Sequence, residues 1–230
     1  MSRLIKRRHK RPIRTSVVVP CIHKHAHLLA NLVKEIDRQT RKPDEIVIAS
    51  SGCEAPSLPR HVRLLHSTAA CTAGQNRNRG SEAATGTLLI YQDADDLPHP
   101  QRVEILTGLF ERYEIDHLMH GYIYTRGQRW SIGYPRRQSD HRPMPIELPS
   151  ISLRKAVKKS EYRREPLHTT LVSNGEVAIL RSTWATVHWP ERPGAGLDQE
   201  FNQRIFGLSR RTVTTRLPLI VYQHHYSSFG

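Results

Sequence analysis

The sequence predicts an α/β fold: a mostly parallel sheet with helices on both faces, Rossmann-like in its layering. Two observations carry this reading. Short apolar or β-branched runs alternate with amphipathic segments of helical period, joined by short connections, the pattern of strands linked by crossover helices. The runs "TSVVVP", "DEIVIAS" and "GTLLIYQ" also hold unbroken apolar centres, as strands covered on both faces do.

Taken in order, "TSVVVP" reads as a first strand closed by Pro20. Between His25 and Arg38, residues Leu28, Leu29, Leu32, Val33 and Ile36 fall on one helical face, the stripe of a helix packed on a sheet. "DEIVIAS" and "HVRLLH" follow as strands, and residues 74–84 as a helix. "GTLLIYQ" is a fourth strand that delivers the chain to Asp93, and Pro100 suits the first turn of the next helix, striped by Val103, Leu106, Leu109, Phe110 and Tyr113. "HLMHGYIYTRGQRWSIGY" alternates as a hairpin does. "EVAIL", "LDQEFNQRIF" and "LPLIVY" then read as strand, helix and strand. The division expected is a basic disordered arm over 1–14 and a single domain over 15–230, with halves 15–124 and 125–230. Residues 134–166, rich in Pro, Arg and Lys and poor in periodicity, read as a mobile loop.

The chain has 35 Lys+Arg against 21 Asp+Glu, a formal net charge of +14, so polyanions are natural partners. Nucleic acid, nucleotide phosphates and an anionic membrane surface reached through the arm all qualify. No recognisable nucleic-acid-binding motif is present, and no specific nucleic acid is expected. Three cysteines without a CxxC pair fit a reducing compartment. The sequence holds no apolar run of bilayer-spanning length and no signal-peptide pattern at its start. The expectation is a soluble cytoplasmic protein, with peripheral membrane contact left open.

Against this excess of positive charge, "YQDADDLPHP" holds three aspartates in four residues. Carboxylates ~5 Å apart at an effective dielectric of about 20 repel by roughly 3 kcal/mol, so something should offset the crowding. The spacing of Asp93 and Asp95 puts both carboxylates on one side of an extended segment, where they can share Mg²⁺ or Mn²⁺. Asp96 points the other way, as a candidate cap of the following helix. In parallel sheets ligands bind outside the carboxyl ends of the strands, and Pro20, Ser50 and Asp93 each lie at such an end. They should line one crevice. The histidines of "CIHKHAH" alternate in a way that does not suit a helix face, and read as solvated side chains at a loop and helix start.

The order Pro20; Gln39, Thr40, Pro43, Glu45 and Ile46; Arg77, Asn78 and Gly80; then Asp93, Ala94, Asp95 and Asp96 resembles the nucleotide-sugar half of family 2 glycosyltransferases. The resemblance implies the GT-A fold and a metal-dependent inverting transfer of a sugar from a nucleotide-sugar donor, a UDP-sugar first, to an acceptor hydroxyl on a glycan, protein or lipid-linked molecule. It implies Asp95 as a ligand of Mn²⁺ or Mg²⁺, with Asp93 on the ion or the ribose, and Arg77 and Asn78 in the donor site. In "GLDQEF" it implies Asp198 as general base, with Glu200 in reserve. In "VYQHHY" it implies His225, or else His224, as a further metal ligand. Where family members place a base-reading Asp after the second strand, this chain has Ser50 and Ser51. Cys21 stands where Thr or Ser is usual, and Leu197 replaces an acid. Two other readings stay open: a nucleic-acid binder or two-metal phosphoryl-transfer enzyme, and a GT-A domain that binds its donor without turnover.

Overall fold

The apolar runs form strands where the sequence places them. The computed structural model describes residues 4–126, 129–131, 150–162, 176–194, 196–208 and 210–223. Strand β1 is Thr15–Ile22, β2 Glu45–Ser51, β3 Val62–Ser67 and β4 Leu88–Tyr91. After the short β5 (Leu97–Pro98) come β6 (His117–Arg126), β7 (Arg129–Ser131), β8 (Ser160–Tyr162), β9 (Val177–Leu180) and β10 (Thr212–Gln223). Among the described residues they make one sheet of order β3-β2-β1-β4-β9-β6-β10-β5, with β7 on β6 and β8 on β10. β3, β2, β1 and β4 pair in parallel. β9 runs antiparallel to both β4 and β6, and β6 pairs in parallel with β10. Six strands of the main path therefore share one direction, and their carboxyl ends form a common rim.

The strands bury both faces because successive side chains alternate. Val17 and Val19 pack with Ile46, Ile48 and Ile90 under α1 (Leu29–Asp37) and α3 (Arg102–Arg112). Val18, Val47, Leu89 and Tyr91 face the opposite layer, with Trp184, Trp189, Phe201 and Ile205. That layer holds α2 (Ala73–Ala83), α5 (Arg181–Trp184) and α6 (Leu197–Gly207). Each such aliphatic side chain, fully buried, contributes roughly 1.5–3 kcal/mol.

Four local expectations change. The helix expected from His25 begins as a 3₁₀ turn, His23–Leu28, before α1. Asp96 does not cap α3, whose N-cap is Gln101 without a side-chain cap bond. Residues 4–14 of the arm expected to be disordered run along the end of α3. The Arg7 backbone N–H donates to Arg112 O at 2.9 Å, and its Nε to Tyr113 O at 2.9 Å. Lys10 pairs with Glu111 at 3.1 Å, and Ile13 is buried. α3 ends in acceptor carbonyls, and the Arg7 side chain with the backbone N–H groups of Arg7 and Arg11 satisfies them. The loop expected over 134–166 holds a short helix, α4 (Leu153–Lys158), and then β8, because Ile151 and Ala156 are buried against the core. Residues 134–149 and 163–166 lie outside the described residues.

Candidate active site

α2 starts with a capping box, carried by Thr72 and Gln75 at the T-x-x-Q spacing: Thr72 Oγ1 accepts from Gln75 N, and Gln75 Oε1 accepts from Thr72 N. Such a cap stabilises a helix start by about 1 kcal/mol. Gly74 follows, and a Cβ there would lie 1.9 Å from the Pro190 carbonyl oxygen. The helix therefore abuts the 189–191 segment without room for a side chain. One turn on, Arg77 is buried and donates from Nη2 to Asp93 Oδ1 at 2.6 Å, its side chain 3% and that of Asp93 18% exposed. The guanidinium carbon sits 5.0 Å from the centre of the Trp189 ring, a cation–π contact that holds it in place. Trp189 in turn stacks on Phe201 of α6 at 3.7 Å and meets Tyr91 edge-on at 5.0 Å. Neither Trp189 nor Phe201 stood out in the sequence, yet they join α6 to the end of β4.

Asp95 shares this rim. Burial and then the negative charge of Asp93 push its carboxyl up to about 6, against the opposing pull of His25 and Arg77. His25 Nε2 lies 3.8 Å from Asp95 Oδ2, each side chain 12% exposed. The expectation of a solvated His25 is thereby corrected: the 3₁₀ turn after β1 swings it over the aspartates. Asp198 lies in the first turn of α6, where burial raises its carboxyl. It feels the charges of Arg77 and Asp93, so the fold brings together a position at 198 and two more than a hundred residues earlier. Glu200 is occupied differently. It accepts from Arg192 at 2.9 Å and pairs with Arg204.

Two sequence-predicted contacts take bracing roles instead. Asn78 donates from Nδ2 to Trp189 O (3.0 Å) and Glu191 Oε1 (2.9 Å). Its Oδ1 accepts from Trp189 N (2.9 Å) and Trp184 Nε1 (3.4 Å). An amide has no further capacity, so the donor contact expected of Asn78 is corrected to a brace for the 184–191 segment. Ser51 Oγ accepts from Asn76 Nδ2 at 2.8 Å and Cys71 N at 3.1 Å. Ser50 Oγ meets Cys53 Sγ at 3.4 Å. Pro20 and Cys21 lie inside β1, paired with Ala49 and Ser50. Burial pushes the Cys21 thiol up to about 12, so this sulfur stays protonated and donates to Ile22 O at 3.4 Å, while the Cys21 carbonyl accepts from Asn76. His224 and His225 lie outside the described residues.

Behind the aspartates sits a cation that sequence patterning did not reveal. Arg102, 1% exposed, donates from Nη2 to Tyr91 O (2.7 Å), from Nε to His120 Nε2 (3.0 Å) and from Nη1 to Gln92 Oε1 (3.2 Å). Gln92 Nε2 donates onward to Asp93 O and Asp96 O, both at 3.0 Å. Burial lowers Arg102 to about 9, opposed by Glu176, Asp93 and Asp96. The 93–96 turn is thus pinned from below by a buried Arg–Gln relay.

Among the described residues no group of three His, Cys, Asp or Glu side chains is arranged to hold a metal ion. The donor set nevertheless fits a hard divalent cation of the kind bound by one or two carboxylates and completed by substrate phosphates. The charge of Asp93 raises the Asp95 carboxyl, and a cation held by the two would offset that repulsion.

The glycosyl transferase family 2 model matches residues 16–183. S. aureus TarS 1–349 in complex with UDP is similar in structure, with a TM-score of 0.66 and 13% identity over 91% of this chain and 60% of that one. The same TarS fragment in complex with UDP-GlcNAc gives 0.63 and 13% over 94% and 61%. The mannosyltransferase PcManGT from Pyrobaculum calidifontis, in complex with GDP-Man and Mn²⁺, gives 0.58 and 16% over 92% and 57%. The chain thus spans about 60% of the length of the TarS fragment it matches. No curated protein matches it in sequence. With the family model covering well over half of the residues, and the sheet order and helical layers in place, the chain belongs to glycosyl transferase family 2.

Proposed function

We propose that the protein is a metal-dependent, inverting glycosyltransferase that moves a sugar from a nucleotide-sugar donor to an acceptor hydroxyl. The observation that carries this reading is the convergence of Asp198 with Arg77 and Asp93 beside Asp95 at one strand rim. Asp93 and Asp95, with His225 as a further ligand, would hold Mn²⁺ or Mg²⁺, whose Lewis acidity stabilises charge on the departing diphosphate. Arg77 fixes Asp93 and adds positive charge where the diphosphate arrives. The nucleobase is assigned to the ends of β1 and β2. There the side chains of Cys21, Ser50 and Ser51 are buried, which favours contacts from backbone groups. Asp198 accepts the acceptor's hydroxyl proton as that oxygen attacks the anomeric carbon. The bond from that carbon to the diphosphate oxygen breaks with its electron pair leaving on the diphosphate, and the configuration inverts. Glu200, tied to two arginines, is the less suited base.

The partners of the similar structures, UDP, UDP-GlcNAc and GDP-Man, support a nucleoside-diphosphate sugar, with UDP-sugars first. The acceptor is a glycan, protein or lipid-linked hydroxyl, and the cytoplasmic face is the proposed place of action. Incubation with UDP-, GDP- and CMP-sugars tests the reading. The expected result is release of nucleotide from one donor class, dependent on Mn²⁺ or Mg²⁺ and absent in Asp95→Asn. No release from any donor under any metal condition would overturn it.

A further inference from the structure

Thirteen of the 35 Lys and Arg residues lie at the end of the sheet opposite the aspartates. Three segments meet there. Glu114 N donates to Ile5 O at 3.0 Å, and Ile5 N donates to Tyr162 Oη at 3.3 Å. Tyr162 Oη donates to Glu114 O at 2.7 Å. Arg211 Nη1 pairs with Glu114 at 2.6 Å, and Arg216 N donates to Lys159 O at 3.2 Å. The arm, the α4–β8 segment and the start of β10 therefore form one continuous edge. All three lie near the amino ends of β6 and β10, whereas Asp93 and Asp95 follow the carboxyl end of β4.

This edge carries Lys6, Arg7, Arg8, Lys10, Arg11 and Arg14 from the arm. α4 and its cap add Arg154, Lys155, Lys158 and Lys159, and the β10 start adds Arg210, Arg211 and Arg216. The acids beside them are Glu111, Glu114, Asp116 and Glu161, and the first three are already ion-paired to Lys10, Arg41 or Arg211. Arg154, Lys155, Lys158, Lys159, Arg210 and Arg216 are exposed. The two large exposed hydrophobics among the described residues are Ile5, at 55% in the arm, and Leu208, at 43% between α6 and the start of β10. Leu208 follows the last turn of α6 and stands three residues before Arg211. Basic residues alone fit any polyanion. Basic residues with apolar side chains set among them fit a surface that is anionic at its face and apolar just below.

We propose that this edge docks the protein on an anionic lipid bilayer, with Ile5 and Leu208 entering the headgroup boundary and the donor site facing away from the membrane. The docking is independent of the glycosyltransferase reading and is measured without sugar nucleotide or metal. The experiment is co-sedimentation of the full chain with vesicles of phosphatidylcholine alone, or with about a third phosphatidylglycerol. Binding is expected to the anionic vesicles, to fall with added salt, and to be negligible on the neutral ones. Each charge reversed among Lys155, Lys158 and Arg210 should weaken it by about fivefold or more. Ile5→Ser with Leu208→Ser should weaken it even at low salt. Lys24→Glu, an exposed site on the turn after β1, should lose little. Circular dichroism on each variant separates lost docking from lost folding. Equal sedimentation with neutral and anionic vesicles, indifference to Ile5 and Leu208, or full displacement by duplex DNA at equal phosphate concentration would overturn the proposal, the last two in favour of a nucleic-acid surface.

Discussion

Replacing Arg102 by Met keeps the length of the side chain and removes its charge and all of its donors. Three acceptors are then left behind, Tyr91 O, His120 Nε2 and Gln92 Oε1, and orphaning a buried polar group costs about 1–3 kcal/mol each. Glu176 and Asp96, 0% and 1% exposed, also lose a neighbouring cation, and removing one partner of a buried charge pair costs about 3–5 kcal/mol. Against these stands the relief of burying the guanidinium itself, which pushes Arg102 down to about 9. The terms overlap, and a net loss of about 3–5 kcal/mol is expected. For a chain of this length that is a fall in Tm of roughly 6–20 °C, read by circular dichroism. Binding should suffer as well, because Gln92 loses the anchor that orients its bonds to Asp93 O and Asp96 O. Measured well below the Tm, nucleotide affinity in Mn²⁺ should fall although Arg102 touches no ligand. A Tm within 3 °C of wild type would refute the buried relay. A large Tm loss with unchanged nucleotide affinity would refute the positioning role and leave a structural one.

Asp198→Asn should lower kcat by about 10²–10⁴-fold, the usual worth of a general base, and nearly keep donor affinity. Inactivation by Glu200→Gln with Asp198→Asn active would transfer the role. Because burial raises the Asp198 carboxyl, the acid limb of kcat/KM in the wild type should lie above the ordinary aspartate range. Burial alone would raise Asp116, but hydrogen bonds from the Arg211 side chain and backbone outweigh it and hold the carboxyl low. A depressed folded-state value stabilises above the unfolded value of about 3.9 and is lost as pH falls through the folded one. Arg211→Met should therefore reduce stability at neutral pH and flatten the loss of Tm below about pH 4.

What could be read from the sequence is what local periodicity records. The long strands and α1, α3 and α6 follow from alternation and helical stripes, because each buries a face against the same sheet, whereas α2 buries Gly, Asn, Arg and Ser and carries no apolar stripe. The aspartates were legible for another reason: a strand delivers them, and their crowding stands out in a basic chain. Arg102 was not legible. It follows Gln101 at a helix start, where an arginine is ordinarily solvated, and its partners Tyr91, Gln92, His120 and Glu176 come from distant positions. The saturation of Asn78 was not legible for a related reason, since the backbone and side-chain groups that saturate it belong to residues 184–191. The arm shows the converse. Its composition matches a solvated tail, and its order depends on the carbonyls at the end of α3, which charge counting along the chain cannot register.

Equilibrium binding measures directly whether Asp93 and Asp95 form the proposed cation-dependent nucleotide-sugar site. Isothermal titration of UDP and GDP into the wild type and into Asp95→Asn, each with and without Mn²⁺, isolates the site from acceptor and turnover. One nucleotide should bind the wild type in a Mn²⁺-dependent manner. The loss in Asp95→Asn should exceed the roughly 10–100-fold that removing an outer-shell partner costs. Metal-free Asp95→Asn should melt no lower than the wild type, since burial and Asp93 oppose its charge. Nucleotide affinity that is the same with and without Mn²⁺, or unchanged by Asp95→Asn, would contradict the proposed site.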